Sequence, residues 1–147
     1  MLHGAVLAQD STLGDGKIDN WIIDSSVHVT VGVLVLLSLT ASAAWLARLA
    51  WQKARLDHTG RWLIGITQVV LTVQILLGIK LLDQNQGFNQ LYIHYIGGLV
   101  PMGAFLVGGW WVRGETPQRT RLLAVLVAVG WFSAVMAFFI GRAYVNR

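Results

Sequence analysis

Four stretches of the chain contain no charged residue and are dominated by apolar side chains: Ser25–Ala47, Trp62–Ile79, Leu91–Val112 and Leu122–Gly141. Each is close to the roughly 20 residues that an α-helix, rising about 1.5 Å per residue, needs to cross a hydrocarbon core. The pattern predicts an all-α fold: an integral membrane four-helix bundle over residues 25–147, preceded by a polar N-terminal segment over residues 1–24. Three short connections and a few terminal residues make up the remainder, which leaves no room for a soluble domain.

Composition agrees with that pattern. With 55% hydrophobic and only 12% charged residues, the chain is far from the balance of a soluble globular domain. The sequence pI is near 10.0, but the basic residues sit beside the apolar runs and form no basic tract, so they speak for membrane topology and against nucleic acid as a partner. The first connection holds Arg48, Lys53, Arg55 and Arg61 against Asp57, and the third holds Arg113, Arg119 and Arg121 against Glu115. Both are expected on the cytoplasmic side. The N-terminal segment carries Asp10, Asp15, Asp19 and Asp24 against Lys17, and the second connection, D-Q-N-Q-G-F-N-Q, is almost uncharged. Both chain ends are therefore expected on the outer face, a count that Arg142 and Arg147 oppose. The opening M-L-H-G-A-V-L-A-Q-D is too short in its apolar part, and lacks the basic flank, to resemble a secretory signal. The multi-pass pattern and the charge bias suit a cell inner membrane, with the lipid bilayer as the first partner.

Chemistry enters with two histidines inside the apolar runs. S-S-V-H-V-T-V-G and L-Y-I-H-Y-I-G-G each place a glycine four residues after a histidine, giving His28 with Gly32 and His94 with Gly98. The expected topology puts both histidines in the first two turns of inward-running helices, at similar depth. A glycine at i+4 lies on the histidine's face and about 6 Å deeper, where a flat macrocycle ligated by that histidine needs close approach to backbone. Gly97, Gly103 and Pro101 widen the same face of the third helix. Ionisable groups in lipid are costly and usually functional. Paired imidazoles from two helices hold a heme iron from both sides; chlorophyll ligation needs only one. The other reading of each histidine is a hydrogen bond between packed helices. The chain has no cysteine, which excludes thiolate metal sites, iron–sulfur clusters and covalent c-type heme attachment, so any cofactor is held non-covalently.

Other polar groups are open to two readings each. Gln74 lies near the depth of the histidines, where it either orients an imidazole or meets a heme edge, or else bridges two helices. Lys80 and Arg142 end the second and fourth runs on the expected outer face, within reach of heme propionates, though snorkelling to headgroups explains such cations equally. Trp21, Trp62, Trp110 and Trp111 mark membrane interfaces. His3 and His58 lie in polar segments and are expected to be solvated.

The early histidine of the first helix, the Q-x-x-x-G of T-V-Q-I-L-L-G (Gln74 and Gly78) and the histidine opening the third helix together resemble one half of a heme A synthase, over about residues 20–142. That family is built of two similar four-helix bundles with heme-ligating histidines on the first and third helices of each. The resemblance implies His28 and His94 as an iron-binding pair. This chain departs from the family in having one bundle, no outer-loop cysteines and no glutamate just before the first histidine. Asp24, one turn ahead of His28, is the sole candidate for a catalytic carboxylate, and it equally suits a helix-end charge favoured by the dipole. The reading is a membrane protein with one bis-histidine heme B, serving as an electron-transfer or stabilising subunit beside other membrane subunits of a respiratory or photosynthetic complex. The alternatives are a compact heme A synthase-like oxidase and a heme-free structural subunit.

Overall fold

A computed structural model describes residues 21–84, 92–111 and 116–145. Expectations for His3, Asp10, Asp15, Lys17, Asp19, Arg113, Glu115 and Arg147, for the ends of two apolar runs at Leu91 and Val112, for most of the second connection, and for the side chains of Trp110 and Trp111 lie outside the described residues. Among the described residues there are four helices: α1 (Ser25–Trp51), α2 (His58–Asp83), α3 (Tyr92–Trp111) and α4 (Pro117–Val145). The all-α four-helix bundle expected from the apolar runs is the observed architecture. Three helices, α1, α2 and α4, are long and apolar enough to cross a membrane, and α3 is apolar over His94–Gly108.

The helices run past the charge-free stretches because local chemistry at their ends sustains them. Asp24 caps α1, its side chain accepting from Ser26 N at 2.7 Å, and Asp57 caps α2, accepting from Gly60 N at 2.7 Å. Thr116 accepts from Arg119 N at 3.3 Å, with Pro117 in the first helical position, where its missing N–H costs nothing. Just past the end of helix α1 and its C-cap Gln52 comes Lys53, whose φ of 52° is left-handed. There Ala54 N donates to Leu49 O and Lys53 N to Ala50 O, the bond pair of a Schellman motif in which glycine is the usual residue. Arg48 and Arg61, expected in the first connection, are thus helical residues, and that connection is short. His58 opens α2 and its exposed ring accepts from Trp62 Nε1 at 2.9 Å.

Packing follows a repeat that hydropathy hides. The buried positions of α1 are Gly32, Val35, Leu39, Ser42, Leu46 and Leu49, alternating steps of three and four. On α4 they are Thr120, Leu123, Val127, Gly130, Ala134 and Ala137, with the same alternation. That is the seam of gently crossed helices packed side by side. The opposite faces are as apolar as the seam: Val33, Leu37, Val125 and Phe132 are all exposed, as suits lipid contact. Antiparallel α1 and α2 form one hairpin, α3 and α4 another, and α1 joins them through α4. The helices thus stand in the order α2, α1, α4, α3 around the bundle. Helices α2 and α3 meet along the thinnest seam, and α1 faces α3 across the diagonal with no close backbone approach.

Few polar groups are buried, and most tie one helix to another. Ser42 and Thr67 hydroxyls bond at 2.9 Å between α1 and α2, with Thr67 Oγ1 also 3.2 Å from Ser38 O. Trp131 Nε1 donates to Thr40 Oγ1 at 2.8 Å between α4 and α1. Ser133 Oγ donates to Gly97 O at 3.1 Å between α4 and α3. Such bonds contribute about 0.6 kcal/mol each on average in membrane bundles, so they set register more than they set stability. At the end of the bundle where α1 finishes, Trp45 Nε1 donates to both oxygens of Asp57, at 3.0 and 3.2 Å, and Arg48 stacks over the Trp45 ring. At the other end, Gln84 accepts from Ile23 N and donates to Ile23 O, closing the start of α1 onto the end of α2.

Candidate functional site

His28 lies in the first turn of α1 and His94 near the start of α3, on diagonally opposed helices. Their rings nevertheless meet in the bundle interior, with centroids 6.3 Å apart and planes inclined at 61°. Equal depth, expected from the two H-x-x-x-G stretches, is what the helices deliver. Each ring is gripped at one nitrogen. His94 Nδ1 donates to the backbone carbonyl of Ala137 on α4 at 2.8 Å. His28 Nε2 lies 3.1 Å from the side-chain amide of Gln74 on α2. His28 Nδ1 and Gln74 Oε1 are buried and have no hydrogen-bond partner. Four helices thus contribute to one small polar cluster inside an apolar bundle.

Glycines make the room. A Cβ on Gly141 would stand 2.9 Å from both Cε1 and Nδ1 of His94, so only glycine lets that ring lie against α4. On Gly78 it would touch His28 Cε1 at 3.4 Å. Gly97 lets α3 close onto α4, since a Cβ there would meet Ala137 Cβ at 2.9 Å. The two glycines expected to cradle a macrocycle differ from each other. Gly98 faces open space, with nothing within 4 Å of a Cβ built on it. Gly32 is buried against Gln74 Nε2, 3.3 Å from such a Cβ, and against the Phe138 ring at 3.6 Å. The close approach at Gly32 is therefore taken up by protein side chains.

The outer polar candidates are engaged with other groups or exposed. Lys80 Nζ lies 2.6 Å from Asp83 Oδ2, both side chains being largely withdrawn from solvent, so this cation already has a carboxylate and is not held in reserve for a propionate. Arg142 is exposed in the last turn of α4. Asp24 is exposed and engaged as the α1 cap; hydrogen bonds from the Ser26 hydroxyl and the Ser26 backbone N–H hold its carboxyl below the ordinary value.

Among the described residues no cluster of three or more histidine, cysteine or acidic side chains forms a protein-only metal site. A heme asks for less, since the macrocycle supplies four of the six iron ligands and the protein two. Two imidazoles sharing one metal, with bonds of about 2.0–2.1 Å and about 1.1 Å from nitrogen to ring centre on each side, stand about 6 Å apart. The observed separation of 6.3 Å fits that arrangement. So does the grip on each ring by a carbonyl or amide, which is how protein-bound metal ligands are usually oriented. Beside the pair, α2 and α3 meet along the thinnest seam and Gly98 faces open space.

Three contributors were not among the candidates in the sequence: the Ala137 carbonyl, Gly141 and Phe138. The first two had a signal. S-A-V-M-A-F-F-I-G places Ser133, Ala137 and Gly141 at successive steps of four, a small-residue stripe that marks where another helix comes close. Comparison with known protein families, with curated proteins and with solved structures finds no match to this chain.

Proposed function

We propose that this is a multi-pass protein of the cell inner membrane, both ends outside, binding one heme B between His28 and His94. It works in this reading as an electron-transfer or stabilising subunit among the membrane subunits of a respiratory or photosynthetic complex. The observation that supports it is the ring pair, 6.3 Å between centroids on helices whose backbones do not closely approach, each ring held at one nitrogen. Bound heme supplies reversible one-electron chemistry at iron. The chain's own residues hold the two imidazoles in the bundle interior and leave His94 Nε2 as a lone-pair donor because Nδ1 donates to Ala137.

A heme-modifying oxidase, suggested by the resemblance to half of a heme A synthase, has less support. Among the described residues the carboxylate one turn ahead of the first histidine, Asp24, is occupied in capping α1. A heme-free structural subunit explains the helices and each ring's bond to a neighbouring helix, but gives no reason for the two rings to meet. The test is the visible spectrum of protein purified after expression with ample heme. A six-coordinate, low-spin reduced spectrum is expected, lost or altered by His28→Ala and by His94→Ala while both variants still insert. Heme-free wild-type protein would refute the proposal.

A further inference from the structure

The two rings of the candidate site are gripped at different nitrogens, and that asymmetry has a chemical consequence. His94 is held through Nδ1, so its available nitrogen is Nε2. His28 is held through Nε2 by Gln74, so its available nitrogen is Nδ1, the buried atom without a partner. Turning the His28 ring by half a turn would put a carbon where Nε2 now meets the amide, and the bond to Gln74 would be lost. The amide itself admits two orientations, since its oxygen and nitrogen are nearly isosteric. With nitrogen toward the ring, Gln74 donates to Nε2, His28 carries its proton on Nδ1, and a buried N–H and a buried Gln74 Oε1 are both stranded. With oxygen toward the ring, Oε1 accepts from Nε2–H, the amide nitrogen takes over the unpartnered position, and Nδ1 becomes a buried lone pair that a metal can satisfy.

We infer that Gln74 is a positioning residue for the heme site: through Oε1 it holds His28 in the Nε2–H form, so that His28 ligates iron through Nδ1 while His94 ligates through Nε2. This rests on the heme reading above and adds to it the ligating atoms and the group that selects one of them. Gly78, one turn beyond Gln74 on α2, gives the His28 ring space to lie against that helix. The Gln74 carbonyl and the Ala137 carbonyl then play equivalent parts on opposite sides, each accepting the proton of the nitrogen that does not bind metal, which raises the basicity of the one that does.

The test uses full-length protein loaded with heme, first confirmed to give the low-spin spectrum. Histidine labelled with 15N at Nδ1 only, read by pulsed EPR of the ferric state, should show one strongly coupled 15N per heme. Ligation through two Nε2 atoms gives none and overturns the inference while leaving heme binding intact. In parallel, Gln74→Leu should weaken heme affinity roughly 10–100-fold and move the reduction potential positive, because the ligand loses its acceptor. Gln74→Glu, a stronger acceptor of similar shape, should keep the heme and move the potential negative. Potentials unchanged in both variants would show that Gln74 does not position His28. A wild-type protein without heme would overturn both this inference and the reading beneath it.

Discussion

Substituting Gly141 by alanine asks whether the bundle is built around the His94 ring. The new Cβ would stand 2.9 Å from Cε1 and 2.9 Å from Nδ1 of His94, a separation real Cβ atoms essentially never show. The neighbour is no free chain end that swings aside. It is an imidazole fixed at Nδ1 by a 2.8 Å bond to Ala137 O, one turn from the substitution on the same helix. Either the ring leaves that carbonyl or α3 and α4 separate. Separation is opposed by Gly97, where the same helices already meet so closely that a Cβ would reach Ala137 Cβ at 2.9 Å.

The magnitude follows from those contacts. Forcing a methyl group into a filled interface costs about 1–3 kcal/mol. Loss of an interhelical hydrogen bond adds about 0.6 kcal/mol, and at most about 1.7. The gain from replacing glycine by alanine in a helix returns up to about 1 kcal/mol. A net loss of about 1–3 kcal/mol is expected, small enough for the chain to insert and large enough to displace the ring. The assay is denaturant unfolding in mild detergent followed by helical circular dichroism, with Gly98→Ala as the control. Nothing lies within 4 Å of a Cβ at Gly98, so that variant should match or slightly exceed wild-type stability without heme. Gly141→Ala as stable as Gly98→Ala would refute the packing argument. In heme-loaded protein the larger Gly98→Leu should then cut heme uptake, because the heme reading sets a macrocycle edge over that open face.

Asp57 gives a pH-dependent prediction. The Trp45 indole N–H and the Gly60 backbone N–H hold its carboxyl below the ordinary value of 3.8. Since the folded-state value lies under the unfolded one, its contribution is complete above about pH 4 and fades as pH falls through the folded value. Asp57→Asn, itself a good cap, should flatten the acid limb of the stability profile, whereas Asp57→Ala should cost about 1 kcal/mol at neutral pH; an unchanged acid limb in Asp57→Asn would discount this clasp. For topology, single cysteines replacing Gln52 and Gln118 should be shielded from an impermeant thiol reagent in intact cells, and those replacing Ser11 and Asn85 should react. The reverse pattern would put the ring pair toward the cytoplasm. Asp24→Asn should leave the heme spectrum unchanged, since asparagine caps as well as aspartate, and heme extracted from a host lacking its own heme A synthase should be unmodified protoheme even with heme O supplied. Hydroxylated heme lost on Asp24→Asn would instead establish the oxidase.

What the sequence made legible, and what it did not, divides along one physical line. Hydropathy reports transfer into lipid, and it located four helices because each is apolar on every side. For the same reason it was silent on which side packs: Leu37 and Leu39 read alike, yet Leu39 is fully buried and Leu37 is 62% exposed. Ends were misread where polar residues serve the helix, as Asp57 and the left-handed Lys53 do, because a charge-free run stops at the first charge while a helix stops at its last satisfied carbonyl. The histidines stood out because an ionisable ring in an apolar run is costly, and Gln74 for a similar reason. Their partners did not stand out, because a backbone carbonyl at Ala137 has no signature of its own and a glycine at 141 looks like any membrane glycine. The stripe of Ser133, Ala137 and Gly141 becomes meaningful only with the bulky ring it accommodates. In a bundle whose lipid face and core share one composition, size and polar exceptions carry the positional information. A search for stripes of small residues at steps of four opposite a lone polar side chain is therefore the reading that would have found this site's second half.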